Sequence, residues 1–229
     1  MKKIGLTGNQ LKLIALVTMT VDHMGMTLFP SNPWFRIIGR LAFPIFAYMI
    51  AEGCRYTRSM PKYLGLLAAV AAVCQAVYLV VMGSLYQCIL VTFSLSVCLI
   101  ALAKKAIKTR GFGWYLALTV GIAGVFFLAE VLPGLLPGTD YCVDYGFWGV
   151  MLPVLVYCAR DLRLRLAATA VCLAFLGSAY GWVQWFALGA LPLLALYNGQ
   201  RGKHKMKYFF YIYYPAHLVV LHFVGMLLG

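Results

Sequence analysis

The chain has 229 residues, of which 63% are apolar and 11% charged, and it carries a net charge of +13; so apolar a composition excludes a water-soluble globule. It also argues against a nucleic-acid-binding face, because the lysines and arginines fall in short clusters between apolar runs rather than along one surface. Clusters spaced in this way are those of a polytopic membrane protein.

In chain order the apolar runs cover 11–29, 34–53, 63–82, 85–103, 113–132, 145–159, 166–180, 182–197 and 208–228, several of them near the ~20 residues a helix needs to cross hydrocarbon. They predict an all-α membrane helix bundle of about nine transmembrane helices. The sixth, seventh and eighth runs are short, and tilting, burial in protein or partial fusion leaves eight or ten spans open. Lys2, Lys3 and Lys12 precede the first span, Arg55, Arg58 and Lys62 follow the second, and Lys104, Lys105, Lys108 and Arg110 follow the fourth. Arg160, Arg163 and Arg165 follow the sixth, and Arg201, Lys203, Lys205 and Lys207 the eighth, whereas the exits around 30–33, 83–86, 133–144 and 180–182 carry no basic residue. By the positive-inside rule the N-terminus is cytoplasmic and the C-terminus external.

The first run holds Asp22 and His23 and ends without small residues, so it is expected to stay as a helix rather than be cleaved as a signal peptide. The seven cysteines are scattered and form no CxxC, which predicts neither a disulfide framework nor a metal site. No internal repeat interrupts the pattern, and a single domain over 1–229 is expected. The connection from Pro133 to Asp144, acidic and turn-forming, is read as an external loop.

The ionisable residues inside the runs are Asp22, His23, Arg36, Arg40, Glu52, Glu130, His217 and His222. Each costs several kcal/mol in hydrocarbon and is a site candidate for that reason. Counting ~1.5 Å per residue, Asp22 and His23 lie roughly 17 Å along the first helix, and Arg40 reaches a similar level from the other side. Arg36 and Arg40 share a helix face and repel, so a carboxylate or bound anion is expected beside them.

Neighbours on a helix point about 100° apart, so Asp22 cannot orient His23 as in a hydrolytic triad. A division of labour follows, with Asp22 paired to Arg40 or Arg36 and His23 left to move a proton. The same spacing also suits a structural ion pair beside a core histidine. In the last run Pro215 precedes His217 and suggests an irregular segment lining a site. Tyr208 and Tyr211 suit either an interfacial belt or a ligand contact. Glu52 suits a local pair with Arg55 as well as it suits a cofactor contact, and Glu130 is read as interfacial. There is no Walker loop, GxGxxG, HExxH or GxSxG, so any chemistry must run on His, Asp, Arg and Tyr. Acyl transfer suits that set, since it needs a base for the acceptor and a cation or donor for the oxyanion.

Three segments resemble a known family: Leu11 to Ala15 with Asp22-His23 to Gly25; Arg36 to Gly53 around Gly39-Arg40-Leu41-Ala42-Phe43-Pro44, with Thr57-Arg58 and Lys62-Tyr63-Leu64; and Lys207 to Leu218 with Tyr214-Pro215-Ala216-His217. They resemble the TraX family, whose named member in F-type conjugation acetylates the N-terminus of the pilin subunit, within a wider group of transmembrane acyltransferases. That resemblance implies a multi-pass protein of the bacterial cytoplasmic membrane. It implies His23 as the catalytic histidine, Asp22 and Arg40 as its supports with His217 beside them, and acetyl-CoA as donor without a metal. The acceptor stays open among a peptide N-terminus, a glycan and a small molecule. A non-enzymatic transporter or conjugation-assembly protein is the alternative. Arg55, Arg58, Lys62 and Lys207 are the nearest candidates for the CoA phosphates, and Arg36, Glu52, Tyr208 and Tyr211 complete the expected cofactor contacts.

Overall fold

The computed structural model is helical throughout: the described residues are 5–203 and 207–228, the side chains at 207, 208, 211, 222 and 228 excepted, and they contain no strand. The helices are α1 (Gly8–Thr27), α2 (Pro33–Gly39), α3 (Ala42–Tyr56), α4 (Met60–Val81), α5 (Ile89–Thr109), α6 (Phe112–Phe126), α7 (Leu132–Leu135), α8 (Gly146–Cys158), α9 (Leu162–Tyr180), α10 (Ala190–Ala195) and α11 (Lys207–Leu228). A π-helical turn, Phe127–Val131, joins α6 to α7, and a 3-10 helix, Trp182–Gly189, precedes α10.

Five stretches are long and apolar enough to cross a membrane: Pro33–Tyr56, Met60–Val81, Ile89–Thr109, Phe112–Leu135 and Leu162–Tyr180. Gly146–Cys158, Trp182–Ala195 and Ile212–Leu227 are apolar but shorter. Helix α1 has the length, at 20 residues, but Lys12, Asp22 and His23 interrupt its apolar character. The chain is thus an all-α protein with the helices of an integral membrane protein. The second apolar run differs from the single straight helix expected there, because it breaks at Arg40 and Leu41 between α2 and α3.

Local chemistry fixes several helix starts. Thr7 and Gln10 form a capping box on α1, Asn32 accepts the Trp34 N–H at 3.1 Å with Pro33 next to it, and Asp161 accepts the Leu164 N–H at 2.8 Å. Gly181, at φ +87°, turns the chain out of α9 in a conformation that disfavours a side chain.

The chain divides into two compact units, Met1–Met49 with Asp161–Gly229, and Ile50–Arg160. In the second, α4, α6 and α8 pack on α5, whose buried Ser96 hydroxyl donates to the Val150 carbonyl at 2.8 Å. Val73 and Val80 on α4 and Phe112 and Val120 on α6 stay exposed, as lipid-facing positions do. Asp140 accepts the Ser84 hydroxyl at 2.5 Å and the Leu85 N–H at 2.8 Å, and Asp144 accepts the Tyr86 hydroxyl at 2.5 Å. The acidic connection is therefore tied down rather than loose. Glu130 accepts the Phe147 N–H at 2.9 Å, placing a carboxylate at the start of α8 where the helix dipole favours it.

In the first unit α1 packs against α2 and α11. Its N-terminal segment lies along residues 196–201: Leu6 N–H donates to the Leu196 carbonyl (2.8 Å), Gly8 N–H to Gln200 (2.8 Å) and Asn9 N–H to Arg201 (2.9 Å). Those bonds satisfy donors that a helix start otherwise leaves open.

Candidate functional site

The close approach of α1 and α2 brings the charged residues together. A Cβ at Gly25 would lie 2.5 Å from Cβ of Phe35, and one at Gly39 would overlap the side chain of Asp22. Two glycines, one on each helix, therefore permit the contact. Asp22 is 9% exposed. Arg40 Nη2 donates to both its oxygens at 2.7 Å, and Arg36 Nη1 to Oδ2 at 2.9 Å. The carboxylate expected beside the two cations is thus Asp22, and it serves both. Arg40 ends α2, its N–H donating to the Arg36 carbonyl at 3.1 Å. The helix break hence falls on the residue that carries the ion pair.

Arg40 reaches one group that the sequence reading missed. Its Nη1 donates to Oε1 of Gln184 at 3.1 Å, and its Nε to the Arg36 carbonyl at 3.3 Å. Gln184 is 3% exposed, and its Nε2 has no hydrogen-bond partner among the described residues. The signal was there: a lone amide in the otherwise apolar stretch 182–188 carries a desolvation cost that invites the question of its partner.

His23, the next residue on α1, faces α11. Its Nδ1 lies 2.9 Å from the Met19 carbonyl and 3.4 Å from Nε2 of His217, and the rings meet edge to face at 4.9 Å. His217 Nδ1 lies 3.1 Å from the Tyr213 carbonyl. Carbonyls only accept, so each Nδ1 carries the proton, His217 Nε2 is an acceptor, and the His23 Nδ1–H is shared between Met19 and His217. This leaves Nε2 of His23 with a lone pair, the form a general base requires. Tyr213 stacks on His217 at 5.4 Å and donates its hydroxyl to Thr20 Oγ1 at 2.8 Å, since the Thr20 hydroxyl itself donates to the Leu16 carbonyl.

The structure thus brings Asp22, His23, Arg36, Arg40 and His217 to the end of α1 nearest Thr27. The other expected contacts fall on α3, on α4 and the turn before it, and on α11. Glu52, 4% exposed, pairs with Arg55 at 3.5 Å, and Arg55 Nη2 donates to the carbonyls of Val156 and Tyr157 at 2.6 Å and of Ala159 at 3.0 Å. A guanidinium held on the last carbonyls of α8 is a helix cap, which makes the phosphate contact expected of Arg55 a competing demand on the same nitrogen. Arg58 and Lys62 are exposed. The side chains of Lys207, Tyr208, Tyr211 and His222 lie outside the described residues. Among the described residues no three His, Cys, Asp or Glu side chains gather as metal ligands.

The chain is 24% identical to the "Probable fimbrial assembly protein FimC, serogroup H1" of Dichelobacter nodosus, over 96% of both chains. A shorter match, 47% identical over 38 residues, links it to an uncharacterized protein of Rickettsia prowazekii, covering 17% of this chain and 15% of that one. No solved structure matches. The family described as "TraX protein" matches residues 7–225, from the cap of α1 through both histidine-bearing helices, and the chain belongs to the TraX family.

Proposed function

We propose that this chain is a membrane acetyltransferase of the bacterial cytoplasmic membrane, taking acetyl from cytoplasmic acetyl-CoA to an amine or hydroxyl acceptor at or beyond the membrane. The observation that carries this reading is the His23–His217 contact beside an aspartate already engaged by two arginines. A purely structural ion pair would need no second histidine on its neighbour. The fimbrial assembly name of the Dichelobacter relative favours the N-terminus of a surface-fibre subunit as acceptor.

Acetyl-CoA, when bound, supplies an activated carbonyl on a thioester. The chain's own groups then divide the work. His23 Nε2 accepts the N–H or O–H proton of the acceptor as its new bond to the acetyl carbon forms and the carbon–sulfur bond breaks; the proton then passes to the departing thiolate. His217 Nε2 accepts the His23 Nδ1–H throughout, and that bond strengthens while His23 is cationic. Asp22, committed to Arg36 and Arg40, holds the end of α2 against α1 and keeps the guanidinium charges in place.

About nine spans with a cytoplasmic N-terminus suit the contacts seen. Residues 5–9 meet 196–201, Arg55 meets 156–159, and 84–87 meet 140–144, each pair expected on one side of the membrane. Helices α1 and α11 run the same way, Thr20 facing Tyr213 and His23 facing His217, as two odd-numbered spans must. The test is thioester loss: the purified chain in detergent, given acetyl-CoA and a peptide with a free N-terminus, should release free thiol and yield acetylated peptide. A chain that assembles fibres without enzymatic activity would release no thiol, and that result would sink the reading.

A further inference from the structure

Helix α4 turns one narrow face inward. Its buried residues are Leu67, Ala71 and Cys74, spaced as one side of a helix is, and α4 packs on α5. Cys74, 1% exposed, therefore points at α5. Cys88 closes the connection as the N-cap of α5 and is fully buried.

The register of this hairpin sets the two cysteines level. Gly83, at φ +62°, turns the chain back after α4. The Ser84 N–H then donates to the Tyr78 carbonyl at 3.0 Å, and the rings of Tyr78 and Tyr86 meet at 5.9 Å. One turn back along α4, the Gln75 side chain makes the next step: its Nε2 donates to the Tyr86 carbonyl at 2.9 Å and its Oε1 accepts the Cys88 N–H at 3.4 Å. Cys74 precedes the residue that holds Cys88, so both cysteines lie at one level of the α4–α5 seam. Both are free thiols within hydrogen-bonding reach of each other. Cys142 comes near as well, its carbonyl accepting the Gln87 N–H at 2.9 Å, but its thiol turns to the Val143 carbonyl at 3.6 Å.

We infer that Cys74 and Cys88 become joined by a disulfide, a modification that ties α5 to α4 at the end where the hairpin turns. The inference rests on the orientation proposed above, which puts the 83–86 connection outside, and is independent of acetyl transfer. Outside the cytoplasmic membrane, thiols are kept oxidised. Both sulfurs are covered in the folded chain, so the exchange takes place while the hairpin closes. The oxidant is a disulfide of the external compartment, on a protein or a small thiol. One cysteine thiolate attacks it, forming a mixed disulfide and releasing one thiol; the second thiolate attacks the first cysteine's sulfur, forming the Cys74–Cys88 bond and releasing the other thiol. The two released thiols carry away the two protons and two electrons that the chain loses. Closing so short a loop restricts the unfolded chain and favours the folded one. It adds a covalent tie to the contacts of Asp140 and Asp144 with residues 84–86.

The test uses the full chain in bacterial membranes, quenched with acid, denatured, and alkylated with N-ethylmaleimide with and without prior reduction. Peptide mapping by mass spectrometry should find Cys74 and Cys88 in one cross-linked pair, protected from alkylation until reduced. In Cys74→Ser, alkylation of Cys88 without reduction should rise at least tenfold over the wild type. Alkylation of both cysteines in the unreduced wild type overturns the inference, and so does a disulfide from either one to Cys142 or to another protein. Where both are free, diamide added to the chain in detergent separates the causes: cross-linking then puts the fault in the orientation, and its failure puts it in the register. Acetyl transfer plays no part in this readout, so an inactive chain would refute the enzymatic reading alone.

Discussion

Gly39 sits where any side chain would collide with the carboxylate of Asp22. Asp22 cannot swing aside cheaply, because both its oxygens are bound by guanidinium groups at 2.7–2.9 Å. Gly39→Ala should therefore push α2 from α1. Alanine gains ~0.5–1 kcal/mol in a helix through backbone entropy, but overpacking costs about 1–3 kcal/mol, so the net sign is destabilising. A lower thermal midpoint in detergent is the expected reading; an unchanged or higher midpoint would contradict the close approach.

The ion pair is asymmetric. Arg40 is 11% exposed at its side chain and Arg36 32%. Asp22→Asn leaves the more buried guanidinium without its counter-charge, and breaking such a pair costs about 3–5 kcal/mol. Arg36→Gln removes a cation that water can partly solvate, and Asp22 keeps Arg40. The yield of monodisperse protein should therefore drop sharply for Asp22→Asn and only slightly for Arg36→Gln. Equal losses would mean that the two arginines share the carboxylate evenly.

The orientation can be checked with single cysteines placed in a cysteine-free background. Positions 108 and 203 should be shielded from a membrane-impermeant thiol reagent in intact cells, and position 138 should be labelled, because only the first two lie in basic connections. Labelling at 203 with protection at 138 would invert the topology.

Helix positions and the Asp22–arginine pairing were legible in the sequence, because hydropathy sets the first and the expense of burying charge sets the second. What sequence could not supply was partnership across helices. His217 was singled out for an irregular segment expected at Pro215, yet α11 runs as one helix through Pro215, and the His217 contact with His23 depends on α1 and α11 running parallel from opposite ends of the chain, 194 positions apart. Gln184 was passed over because one amide barely alters the hydropathy of its run, although its desolvation cost marked it. The cap that Arg55 places on α8 was not legible, because a count of basic residues sees charge and not the open carbonyls of that helix.

The histidine pair provides the sharpest functional prediction, because the two rings are not equivalent. His23 Nε2 is the nitrogen left with a free lone pair, while His217 Nε2 accepts from His23. Removing the base should cost ~10² in turnover or more, as loss of a general base does. Removing His217 leaves His23 its proton on Nδ1 through the Met19 carbonyl at 2.9 Å, so His217→Ala should cost less, on the order of tenfold, the loss of one bond to a charged group. Since His217 acts only through His23, the double variant should be no slower than His23→Ala. His217→Gln, which keeps an acceptor, should recover part of the rate that His217→Ala loses. Acetyl transfer to a peptide by the purified chain measures all four. If His23→Ala kept more than about a tenth of wild-type turnover, against the ~10² expected for a lost base, His23 would not be the base. If the single losses instead multiplied in the double variant, the two histidines would act independently and their contact would be incidental.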